Sequence, residues 1–188
     1  MDQKSSTPST AKEKLGLFVL WLPYAFLVNR FWFVSDDAFI SFRYAVNWAN
    51  GHGPRYNLGE HVPVEGYSNF LWVALNALLE LMGADLTFWP LLFSFACGSV
   101  LIGRVFFTLR RQLEMSLPVS FTATLLLSCS PPFAAWSTGG LETTPYALLM
   151  FLTFEALFLR RQGPEPTAAG FFGPVSYTHL TLPTNREV

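Results

Sequence analysis

The 188-residue chain is 51% hydrophobic and 16% aromatic but only 13% charged, with a formal net charge of −1. Soluble domains carry about 25% charged residues, so this chain lacks the polar side chains to cover a globular surface. The composition and a mean hydropathy of +0.33 point to a polytopic membrane protein, expected to be all-α because its apolar runs have the length of spanning helices. The 12 basic side chains are few, and their clusters sit at the ends of apolar runs, which argues against a nucleic-acid partner.

Residues 1–14 form a polar N-terminus ending in Lys12 and Lys14. The apolar run 15–34 follows, with no small-x-small cleavage pattern after it, and reads as a retained signal anchor. Three more runs are long enough to cross a bilayer, at about 86–109, 117–136 and 141–159. The run 69–82 is shorter, carries Asn76 and Glu80, and reads as an interfacial helix.

Charge orders these segments. Lys12 and Lys14 precede the first span, Arg110-Arg111 follow the second and Arg160-Arg161 the fourth. Basic clusters belong on the cytoplasmic side. All three fall there when the N-terminus is cytoplasmic and 69–82 does not cross. The loop 35–85 and the connection Ser137–Glu142 then share the outer face.

Within that loop, residues 36–50 predict an amphipathic helix. Phe39, Phe42, Val46 and Ala49 form its apolar stripe, widened by Ile40, Tyr44 and Trp48. Ser35 or Asp36 stands where an N-cap is needed, and Gly51 where a helix ends. Residues 51–68 are rich in Gly and Pro and predict an ordered loop. Residues 162–188 are a linker and tail; the stretch 174–188 breaks sharply from what precedes it, resembles translated adapter sequence, and leaves the expectation of an N-terminal fragment.

The adjacent carboxylates Asp36 and Asp37, at the mouth of the first span, are the leading candidates for a catalytic base or a cation site. Dipole compensation at a helix start needs only one of them. Arg43, six or seven residues further along, offers a planar fork for phosphate or a snorkelling interfacial cation. Glu65 closes the loop in Glu65-Gly66-Tyr67-Ser68, with Ser68 as an alternative helix cap. Glu65 joining Asp36 or Asp37 would surround an acceptor hydroxyl or a divalent cation, for which hard oxygen ligands favour Mg²⁺, Mn²⁺ or Ca²⁺ over zinc. Tyr44, His52 and Tyr56 are weaker candidates. Glu142, in Gly139-Gly140-Leu141-Glu142-Thr143, either caps the last span or joins the site, because the double glycine permits close backbone approach. Cys97 and Cys129 lie in apolar runs and read as packing residues. Walker, Rossmann, nucleophile-elbow and HExxH patterns are absent from the sequence.

The string D-D-A-F-I-S-F-R-Y-A-V-N-W-A-N-G-H-G, then Y-N-L-G-E and V-E-G-Y-S, with G-L-E-T opening a later span, resembles the GT-C superfamily of membrane glycosyltransferases. The arabinofuranosyltransferase-like branch is the most similar, over about residues 30–160. The resemblance implies a multi-span helical bundle whose first outer loop holds juxtamembrane helices, so that 15–161 would be the N-terminal part of such an enzyme. It implies a polyprenyl-phosphate sugar as donor and an extracytoplasmic glycan, lipid or protein as acceptor, at the cytoplasmic membrane. Asp36 or Asp37 would be the base or a metal ligand, with Arg43, Glu65 and Tyr67 lining the site. The competing reading is a transporter, for which Glu155 is the deepest ionisable residue.

Overall fold

The computed structural model describes residues 11–59 and 66–159, which form seven helices and, among the described residues, no strand. They are α1 (Ala11–Arg30), α2 (Asp36–Asn47), α3 (Phe70–Leu81), α4 (Trp89–Phe107), α5 (Leu117–Ser128), α6 (Pro131–Trp136) and α7 (Thr143–Phe154). Wider helical turns prolong α2 to His52, α4 to Gln112 and α7 to Leu159.

Helices stand over both predicted interfacial segments. Gly51, at φ 83°, closes the end of α2, as its position in the sequence implies. Ser35 occupies the N-cap position, but its hydroxyl makes no capping bond. The predicted span 117–136 is two helices, not one. Pro131 and Pro132 supply no amide hydrogens, and Ser130 before them is extended at ψ 111°. Cys129 sits exposed at this break, while Cys97 is buried in α4; both are free thiols.

The helices order into a bundle with two poles. At one pole the Glu13 carboxylate lies 3.6 Å from Arg110 and 3.8 Å from Arg111, joining the start of α1 to the end of α4. At the other, Ser35 N donates to Gly139 O at 3.0 Å, joining the exit of α1 to the α6–α7 connection. The turn 82–88 returns the chain from α3 into the start of α4 at this second pole. There Thr87 donates to Asp85 Oδ1 through its amide (2.8 Å) and hydroxyl (2.7 Å). These two bonds hold the exposed Asp85 carboxyl below the ordinary carboxylate range. Both ends of α3 thus stay at the pole that carries Asp36, Asp37 and Glu142, and the described basic clusters gather at the opposite pole.

Close helix contact sets the core. Tyr24, fully buried in α1, donates to Ser137 Oγ at 2.8 Å and stacks on Phe95 with centroids 5.5 Å apart. Its hydroxyl lies 2.0 Å from where a Cβ on Gly98 would stand, so α1 meets α4 only because that residue has no side chain. Small polar residues are buried among the apolar ones: Ser94, Ser120, Thr124, Ser128 and Thr144 lie inside beside Leu20, Leu91, Ile102 and Phe106. Large apolar side chains face outward, among them Leu15, Phe18 and Phe26 on α1, Leu126 on α5, and Phe154 and Phe158 on α7 and its extension. Among the described residues one helix, Trp89–Gln112, has the length and apolar composition to cross a bilayer; its 24 residues span about 36 Å.

Candidate functional site

The second pole holds a cleft of about 230 Å³ between α2, the approach to α3 and the start of α7. Helical spacing brings Asp37 and Ser41 to one face of α2, and both line the cleft with Tyr67, Ser68, Asn69 and Glu142. Ile40 and Leu141 form its apolar flank. Asp36 and Asp37 are both exposed at the start of α2, but of the two only Asp37 lines this cleft.

Asn69 is the centre of the arrangement. It is 6% exposed, and its Nδ2 donates to Glu142 Oε2 at 2.8 Å and to Ser41 Oγ at 3.2 Å. One side chain therefore ties α2, α3 and α7 together. Its Oδ1 is buried without a hydrogen-bond partner, an arrangement that costs free energy unless something else satisfies it. Glu142 occupies the N-cap position of α7 yet makes no side-chain capping bond. Its carboxylate is turned to Asn69 and the cleft.

The Gly139-Gly140 loop fits between α2 and α3 at close range. Gly140 has φ +82°, and a Cβ on it would stand 2.5 Å from Ala38 Cβ. Its carbonyl accepts from Trp72 Nε1 at 3.0 Å. Gly140→Ala must therefore pay both a left-handed backbone and a steric clash. It is expected to destabilise the bundle by about 1–3 kcal/mol, read as a lowered midpoint in a denaturant titration. Gly59→Ala, with open space around it, is the matched control and leaves the midpoint within experimental scatter.

The remaining expected site residues are distributed differently. Arg43 is exposed, donates from Nε to Tyr56 O at 2.8 Å and sits 4.7 Å over the Tyr56 ring. With Asn47, whose Nδ2 donates to Arg55 O at 2.7 Å, it fastens the loop after α2 and does not line the cleft. Tyr44 is fully buried, accepts from Gly66 N at 2.9 Å and packs on Tyr67 with centroids 4.6 Å apart. It supports the cleft wall from behind. His52 is exposed in the last turn of the α2 extension. Glu65 lies outside the described residues. Among the described residues no three His, Cys, Asp or Glu side chains group to hold a metal ion.

Residues that sequence reasoning passed over are Asn69, Ser41 and Trp72. The one signal Asn69 carries in the sequence is its place, directly after Glu65-Gly66-Tyr67-Ser68 and before an apolar helix. Nothing in the sequence distinguishes Ser41 or Trp72 from neighbouring residues on their helices.

A second, larger hollow adjoins the first. About 590 Å³ lies between α3, α4 and α7, walled by Leu71, Leu75, Leu78, Phe93 and Leu149, and reaching Glu142. The polar cleft and this apolar groove thus share one residue. Searches of known protein families, of characterised proteins and of solved structures find no match to this chain.

Proposed function

We propose that the chain serves a GT-C-type membrane glycosyltransferase, moving a sugar from a polyprenyl-phosphate donor to an extracytoplasmic glycan, lipid or protein acceptor. The observation that carries the reading is the meeting of a polar, carboxylate-lined cleft with an apolar groove at Glu142. A lipid-linked sugar has the same two parts in the same order. The Asp-Asp motif string supports it by resemblance.

The outward-facing apolar side chains and the small polar residues buried between helices favour a bilayer as solvent, since membrane helices associate through small residues and interhelical hydrogen bonds. In this reading the pole with Lys12, Lys14, Arg110 and Arg111 is cytoplasmic and the cleft faces outward. Glu155 accepts hydrogen bonds from Arg104 and Thr108 across the α4–α7 contact, which suits an interhelical clamp better than a transport pathway.

In the reaction, a carboxylate takes the proton of an acceptor hydroxyl as its oxygen attacks the sugar C1. The C1–O bond to phosphate breaks, and the polyprenyl phosphate departs with the bonding pair. General-base catalysis of this kind contributes about 10²–10⁴-fold. Single displacement inverts the anomeric centre. A divalent cation, where one takes part, would be held by oxygen donors such as Asp36, Asp37 and Glu65 and would supply positive charge between them.

The test uses the full chain in proteoliposomes with radiolabelled polyprenyl-phosphate sugars and a cell-envelope extract as acceptor. Label moving from the lipid to the acceptor is the expected result. Solute flux without any sugar transfer would overturn the reading in favour of a transporter.

A further inference from the structure

The donor and acceptor balance of the cleft defines what it binds. Asp37 and Glu142 present carboxylate oxygens. Both amide hydrogens of Asn69 are committed, one to Glu142 and one to Ser41, while its Oδ1 has no partner. Among the described residues, no Lys, Arg or His lines the cleft. Arg43, the nearest basic residue on α2, is held by Tyr56. The site is therefore rich in acceptors and poor in positive charge. An anion placed there meets two carboxylates at short range, whereas a ligand that donates hydrogen bonds finds acceptors waiting.

We infer that the cleft is a subsite for one neutral, hydroxyl-rich sugar ring, in which Asn69, held by Glu142 and Ser41, offers Oδ1 to a ligand hydroxyl. Phosphate and other anionic groups are excluded from it. The size agrees, since about 230 Å³ is below the about 300–1,000 Å³ of pockets for drug-sized ligands. The apolar flank of Ile40 and Leu141 gives the non-hydroxylated face of a ring a surface to lie on. The phosphate of a lipid-linked donor then sits outside this cleft. Asn69 is a specificity residue here: a site built to bond a hydroxyl leaves its own buried group unpaired when the wrong ligand enters. The subsite takes its biological role from the proposed glycosyl transfer, while its binding chemistry stands by itself.

The experiment measures carbodiimide labelling of Asp37 and Glu142 in the full chain in nanodiscs, read by peptide mass spectrometry. Probes are neutral methyl pentosides and hexosides, the matching uronic acids, and sugar 1-phosphates, each with EDTA. Neutral glycosides are expected to slow labelling at Asp37 and Glu142 and to leave Asp85, remote on the α3–α4 turn, unchanged. Uronic acids and sugar phosphates are expected to give no protection.

In Asn69→Leu, the glycoside concentration for half-protection is expected to rise about 10–100-fold, the worth of one hydrogen bond in a charged setting. The comparison of neutral with anionic probes needs only the unaltered chain, so it decides the matter even where Asn69→Leu folds poorly. Protection by sugar phosphates equal to that by neutral glycosides, or no protection by any neutral glycoside, overturns the inference. Protection without transfer in proteoliposomes would retain the subsite and remove the enzyme; transfer without protection would do the reverse.

Discussion

Asp37→Asn is expected to lower sugar transfer by about 10²–10⁴-fold, while Asp36→Asn leaves most of it. The two residues are neighbours in sequence but about 100° apart around α2, and that rotation separates their roles. Asp37 falls on the face that carries Ser41 and looks across the cleft to Asn69 and Glu142; Asp36 does not line it. A carboxylate that removes a proton must reach the acceptor hydroxyl, and of the pair only Asp37 borders the space where that hydroxyl would sit. The Asn replacement keeps the shape and removes the basicity, so helix content and expression should not change. Initial transfer rates in proteoliposomes, with circular dichroism of the same preparations, check this. Equal loss in both single variants would return the pair to a shared role, such as holding a cation. Full activity in Asp37→Asn would remove it from the chemistry.

The helical fold was legible because its signals are local. The apolar stripe Phe39, Phe42 and Val46, bounded by Ser35 and Gly51, is enough to specify α2. The brevity of 69–82 and the two polar residues within it separate α3 from the longer runs. The break at Cys129–Ser130 was hidden because uniform hydrophobicity outweighs Pro131-Pro132 in any average over a span. The cleft was half legible. Asp37 stands out as half of an acidic pair, Tyr67 and Glu142 as polar residues close to glycines, and Gly140 does need to lack a side chain. Arg43 and Tyr44 do not line this cleft, because on a short helix packed against α3 residue type says little about which way a side chain turns. Asn69 stayed hidden because its importance lies in partners 28 and 73 residues away. No window along the sequence contains both.

Arg104 stayed hidden in the same way, since its partner Glu155 lies 51 residues away. Its guanidinium donates to Glu155 Oε2, with Nε at 3.0 Å, and Thr108 Oγ1 donates to Glu155 Oε1. Glu155 is 3% exposed at its side chain and Arg104 44%. The asymmetry decides which deletion is worse. Arg104→Met strands a buried carboxylate beside a single hydroxyl donor, and a broken buried pair costs about 3–5 kcal/mol. The half-exposed arginine reduces this toward the lower end, because solvent already screens part of the interaction. Glu155→Met leaves an arginine that can turn outward along its aliphatic stem, so it should cost less. Combining both removes the stranded charge, and the double variant should be more stable than Arg104→Met alone. Denaturant titration in mixed micelles, followed by helical circular dichroism, supplies all three values. Strict additivity would mean that the two side chains do not communicate, and the α4–α7 contact would then rest on Thr144, Gly98 and their apolar neighbours. A non-additive cycle would instead make this pair the element that holds α7 in register, and with it the placement of Glu142 at the far end of the same helix.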